Sequence, residues 1–177
     1  IISEVYVPTE VSGLTDIIRI SAGGNQTCVV IDGDPSTEGT KDPGPIKCWG
    51  NDVVTPTFIG SETETFSHIF TSGSRTCALK KDGNVQCLKT TGLNDMSISS
   101  VRSLALGENH SCILYDDDAS TTEVDESGTV KCWGQGGFGQ LGNASLRDEA
   151  SPVDVVGLNI VNVSMIYAGG YHNCALD

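Results

Sequence analysis

The stretch Val130-Lys131-Cys132-Trp133-Gly134-Gln135-Gly136-Gly137-Phe138-Gly139-Gln140-Leu141-Gly142, running on through Ser151-Pro152-Val153-Asp154-Val155 to Gly157-Leu158, decides the fold. It reads as a short β pattern, a glycine-rich bend and a second β pattern. Parts of it recur. Ile46-Lys47-Cys48-Trp49-Gly50 repeats its opening, and Val85-Gln86-Cys87-Leu88 does so more faintly. Gly-Leu returns at Gly13-Leu14 and Gly92-Leu93. The segments ending at Cys28 (S-A-G-G-N-Q-T-C), Cys77 (T-S-G-S-R-T-C), Cys112 (A-L-G-E-N-H-S-C) and Cys174 (Y-A-G-G-Y-H-N-C) are copies of one another. A fixed recurrence of this kind marks a tandem array, in which each unit buries its apolar face against its neighbours.

These residues resemble the repeat of the regulator of chromosome condensation (alpha-tubulin suppressor-like) family, in a cysteine-paired, extracellular form. The closest matches are Cys77-Ala78-Leu79 through Asp82-Gly83 to Val85, and Cys132-Trp133-Gly134 through Gln140-Leu141-Gly142 to Ser151-Pro152-Val153. The resemblance implies an all-β fold, a β-propeller with about one four-stranded blade per repeat and usually seven blades. The chain divides into residues 1–12, the closing strand of a preceding repeat; 13–60, repeat one; 61–91, repeat two; 92–156, repeat three; and 157–177, the start of repeat four. Three repeats with fragments at both ends read as a segment of a larger ring, to be completed by other domains or subunits.

Seven cysteines set the compartment. The hairpin from Cys77 to Cys87 turns through Asp82-Gly83, a favoured reverse turn, which sets the two cysteines opposite one another. Cross-strand neighbours in an antiparallel pair are close enough to bond, so Cys28 pairs with Cys48, Cys77 with Cys87 and Cys112 with Cys132. Cys174 is left over, its partner belonging to the second half of repeat four. The alternative is a set of reduced, buried cysteines. Disulfides would place the molecule in an oxidising compartment, extracellular or at the cell surface. Four N-x-[ST] triplets, at Asn25, Asn109, Asn143 and Asn162, are candidate glycosylation acceptors.

The interior is read from aligned columns: Ile17, Val101 and Val163; Ile20, Phe70, Leu104 and Ile166; Val29, Ala78, Ile113 and Ala175; and Trp49 and Trp133 with Leu88 in the middle repeat. All are expected between adjacent blades. The tryptophans are core rather than a ligand-sensing cage.

A net charge of −13 makes the surface repel phosphate backbones, which argues against a nucleic acid partner. No apolar run approaches the roughly 18 residues of a membrane span, so no membrane insertion is expected. No cofactor, metal or catalytic constellation is expected either. His110 and His172 share a column with Gln26 and Arg75, which suits hydrogen bonding to a neighbouring turn better than zinc. The acidic stretches at Asp32-x-Asp34, Asp116-Asp117-Asp118 and Asp125-Glu126 could hold calcium, with solvated hairpin tips as the plainer reading.

Fold alone does not give function. The expected role is non-enzymatic: a disulfide-stapled extracellular module of a larger surface or filament protein, contacting protein or glycan partners. The resemblance also implies guanine nucleotide exchange on a small GTPase as an alternative, although the residues of an exchange site are not matched. A secreted enzyme-inhibitor propeller is a second alternative.

Overall fold

The computed structural model describes residues 7–37, 39–89, 92–96, 98–116, 128–157 and 163–176. Among them there is no helix. Three antiparallel four-stranded sheets follow one another along the chain, each with its strands in sequence order. The first blade holds β1 (Ile17–Gly23), β2 (Gln26–Ile31), β3 (Ile46–Gly50) and β4 (Val53–Ile59). The second holds β5 (His68–Ser72), β6 (Arg75–Leu79), β7 (Val85–Lys89) and β8 (Gly92–Asp95). The third holds β9 (Val101–Leu106), β10 (His110–Asp116), β11 (Gly128–Gly134) and β12 (Glu149–Asp154). A two-stranded half-blade, β13 (Met165–Ala168) and β14 (Asn173–Leu176), ends the series. The architecture is that of a partial β-propeller.

First strands pack side by side, β1 on β5, β5 on β9 and β9 on β13. The apolar core lies between blades rather than within them. Between the first and second it comprises Cys28, Val30, Ile46 and Cys48 against Phe66, Ile69 and Ala78. Between the second and third, Cys77, Leu79 and Val85 meet Val101, Leu104, Ile113 and Trp133. The third blade offers Cys112, Leu114, Val130, Cys132 and Leu141 to Val163 and Ile166 of the half-blade.

Four expectations are corrected by this arrangement. Ile17 and Ile20, read as interior, are 41% and 67% exposed, because among the described residues no blade lies before β1 to cover them. Ala175 is exposed whereas its counterparts Ala78 and Ile113 are buried, because β14 has no partner on its outer side among the described residues. Trp49 and Leu88 are only half-buried, unlike Trp133. Gly92-Leu93, read as the opening of repeat three, instead pairs with Lys89 and Leu88 and so closes the second blade. The second blade has a short β7–β8 connection where the third has the long 135–148 loop, so the same two residues serve as its outer strand.

Alternating turns give the array two rims. On one, the turns between first and second strands of the first and third blades lie beside the connections between their third and fourth strands: Asn51 N–H donates to Asn25 O at 3.0 Å, and Gln135 N–H to Asn109 O at 2.9 Å. On the other, hairpin tips lie beside the links from blade to blade, as where Val101 N–H donates to Gly83 O at 3.1 Å. Gly50 and Gly134 make the first rim possible. Their φ values are +98° and +103°, and a Cβ would stand 2.0 and 2.4 Å from the carbonyl oxygens of Asn25 and Asn109.

Candidate functional site

Each second strand is bonded to its third. Cys28 and Cys48, Cys77 and Cys87, and Cys112 and Cys132 are register partners with Cα atoms 4.1, 4.0 and 4.1 Å apart, all three joined as disulfides. That spacing is near the ~4.5 Å of a non-hydrogen-bonded antiparallel pair, the closest approach that strands offer. The bridged side chains face the following blade, and five of the six belong to the buried cores between blades. Cys174 is exposed and unbonded.

A polar ladder runs across the blades at the start of each second strand. Thr76 Oγ1 donates to Gln26 Oε1 at 2.9 Å. Arg75 Nη1 donates to His110 O at 2.8 Å, and its other terminal nitrogen reaches Ser111 Oγ. His110 Nε2 meets Asn173 Oδ1 at 3.0 Å, and Asn173 Nδ2 donates to Gln140 O at 2.6 Å. In every case the residue two before the cysteine of one blade grips the residue just before the cysteine of the next. The sequence contained this signal as two adjacent polar columns, Gln26/Arg75/His110/His172 and Thr27/Thr76/Ser111/Asn173. The pairing between them is invisible in the sequence, because contact between columns of different repeats requires the blades to be docked.

Burial holds the His110 pKa below the ordinary imidazole value, with the positive charge of Arg75 and neighbouring His172 acting the same way and the Asn173 hydrogen bond opposing. Its buried Nδ1 has no hydrogen-bond partner among the described residues. The lowered value favours the uncharged imidazole, which can still give its Nε2–H to Asn173.

The acidic tip of the first blade is closed on itself. Asp32 Oδ1 accepts the N–H groups of Asp34 and Asp42, both at 3.2 Å, and Oδ2 pairs with Lys41 at 3.2 Å. Desolvation alone would raise its pKa, but the hydrogen bonds from Lys41, Asp42 and Asp34 outweigh it and hold the carboxyl below the usual value. The carboxylate thus shapes the loop. Among the described residues no group of three or more histidine, cysteine, aspartate or glutamate side chains is gathered to hold a metal. The acidic stretches Asp117-Asp118 and Asp125-Glu126 lie outside the described residues.

Asn25 and Asn109 are exposed in equivalent turns, and Asn143 is half-buried in the 135–148 loop. Asn162 lies outside the described residues. A cleft of about 430 Å³ opens between the third blade and the half-blade, lined by Cys112, Val130, Cys132, Leu141, Ile166 and Ala175. At its mouth Phe138 and Tyr171, both largely exposed, meet edge to face at 5.1 Å. The corresponding space between the second and third blades is where Trp133 packs. No helix among the described residues is long and apolar enough to cross a membrane.

Comparison with known proteins agrees with this geometry. Residues 127–176 match the regulator of chromosome condensation (RCC1) repeat. The RCC1 domain-containing protein RUG3, mitochondrial, of Arabidopsis thaliana is 39% identical over 51 residues, which is 29% of this chain and 12% of that protein. Human WBSCR16 superimposes with a TM-score of 0.69 at 15% identity, over 90% of this chain and 44% of that one. Prp20p of Saccharomyces cerevisiae, solved in a study of its binding to Gsp1p and histones, gives a TM-score of 0.67 at 14% identity, over 92% and 44%. Yeast RCC1 (Prp20) in complex with Kap60 gives 0.69 at 18%, over 90% and 39%. The chain spans less than half the length of each of these structures. Residues 127–176 are thus similar to an RCC1 repeat, and the chain has the fold of a β-propeller segment.

Proposed function

We propose that this chain is part of a non-catalytic, extracellular propeller that presents loops to protein or glycan partners. The observation that carries this reading is the set of three disulfides, one in each full blade. Such bonds persist in oxidising compartments and are rare where glutathione keeps thiols reduced. The acidic balance of the chain agrees with a surface that avoids nucleic acid. Propellers of this fold include proteins with protein partners, Gsp1p, histones and Kap60 among them.

The half-blade supports a further part of the reading. An extended strand of the V-x-C-W-G type, from the same protein or another subunit, would pair with the open edge of β14, bond Cys174 and place its aromatic residue in the cleft over Ile166 and Leu141.

The test is a cysteine map of the protein from its native source under non-reducing, denaturing conditions. The six cysteines of the three local pairs should resist alkylation, and Cys174 should join them where its partner strand is present. Free thiols in all three blades would sink the extracellular reading, and acceleration of GDP release from a small GTPase would replace it with the exchange-factor alternative that the family resemblance implies.

A further inference from the structure

Two of the three N-x-[ST] triplets whose asparagine is described stand on one rim. Asn25 and Asn109 take the same place in the first and third blades, in the turn between first and second strands. Each has its backbone fixed, the carbonyl accepting the N–H of Asn51 or Gln135. Each is exposed, and neither side-chain amide is hydrogen-bonded to another described residue. A sugar at either amide displaces no packed group. Asn143 is half-buried, with its Oδ1 accepting the Ser145 N–H at 3.2 Å, and it follows Gly142, whose carbonyl accepts the Val156 N–H beyond the end of β12, away from that rim. The opposite rim carries the hairpin tips with Asp34, Lys41, Asp42, Lys81 and Asp82.

We propose that Asn25 and Asn109 are N-glycosylated and that the rim they share is the sugar-bearing face of the propeller, closed to protein partners. The inference rests on the extracellular reading, because the transfer belongs to the secretory lumen. There the Asn Nδ2 attacks the anomeric carbon of an oligosaccharide carried on a lipid pyrophosphate. The N–C bond forms, the C–O bond to pyrophosphate breaks, the amide gives up one proton and the lipid pyrophosphate leaves. Ser111, whose hydroxyl completes the second triplet, is buried and bonded to Arg75 in the folded chain. Transfer to Asn109 therefore precedes docking of the second blade on the third.

The experiment is peptide mapping of the chain secreted from eukaryotic cells behind a cleavable signal, with glycans released enzymatically in heavy-oxygen water. Labelled aspartate is expected at positions 25 and 109. Asn25→Gln and Asn109→Gln should each remove one glycan from the intact mass, the double variant both, with the three disulfides unchanged. Disulfide-bonded protein with unmodified Asn25 and Asn109, or with sugar confined to Asn143, would overturn the inference and leave the compartment reading standing. Sugar at both positions on protein whose cysteines are free would support the inference and sink the disulfide reading instead.

Discussion

β1 and β9 are the same strand of the repeat in two situations. Ile20 on β1 is 67% exposed, and Leu104 in the same column on β9 is 1% exposed. Both are large aliphatic residues at the same step of the repeat, and both sheets have four strands in the same order. What differs is the neighbour: β5, β6 and β7 of the second blade cover β9, while no described residue covers β1 in this way. Burial in this molecule is a property of the joint between blades, and a blade contributes to stability mainly through what it docks against.

The largest test of that contrast is truncation at the two positions. Leu104→Ala should cost about 2–5 kcal/mol of unfolding free energy in chemical denaturation. Ile20→Ala should stay within about 0.5 kcal/mol, as exposed changes do. Equal losses would place the core within blades. Next is covalent: replacing both Cys112 and Cys132 by alanine should cost about 3 kcal/mol for a loop of this length in the chain-entropy picture, against slightly less for Cys77 and Cys87, whose loop is half as long. The same denaturation curves, read without reductant, check the ranking.

Smaller is the ladder. Arg75→Ala removes the donor to His110 O and Ser111 Oγ at the joint that buries β9, and should cost about 1–3 kcal/mol. A loss near zero would assign that joint to apolar packing alone. Smallest is the pH response of the joint to the half-blade. His110 is held neutral in the fold, so the unfolded chain takes up its proton first. Stability from this residue is fully present above about pH 6.5, its unfolded value, and falls as pH drops from there through the lowered folded value. His110→Gln copies the residue that the first blade uses at this column. It should flatten that slope in thermal melts between pH 7 and 5 while keeping the bond to Asn173.

Much of the fold was legible because it repeats. The columns V-x-C-W-G and A-G-x-x-H-x-C locate the second and third strands of the full blades, and the Asp82-Gly83 turn fixes the register that sets Cys77 against Cys87. Docking was not legible. Ile17 and Ile20 look like core in any single repeat, and only the stacking of sheets reveals that their face is uncovered. Gly92-Leu93 illustrates a related point: the motif is the same as at Gly13-Leu14, but here it pairs with Lys89 and Leu88 and belongs to the outer strand of the second blade. The rim shared by Asn25 and Asn109 was readable from their common column, whereas the pairing of Gln26 with Thr76 crosses 50 residues and two repeats.

Every disulfide closes a loop inside a single blade, with bonded cysteines 20, 10 and 20 positions apart, and none of them ties one blade to another. Under tension, successive sheets could therefore peel away from one another while each hairpin kept its own slack in reserve. At about 3.5 Å per residue, each of the two longer loops withholds roughly 70 Å of contour that a pulling force recovers only after the sulfur–sulfur bond is cut. In a molecule exposed to flow or shear, extension would proceed in blade-sized steps, and a mild reductant would lengthen every step.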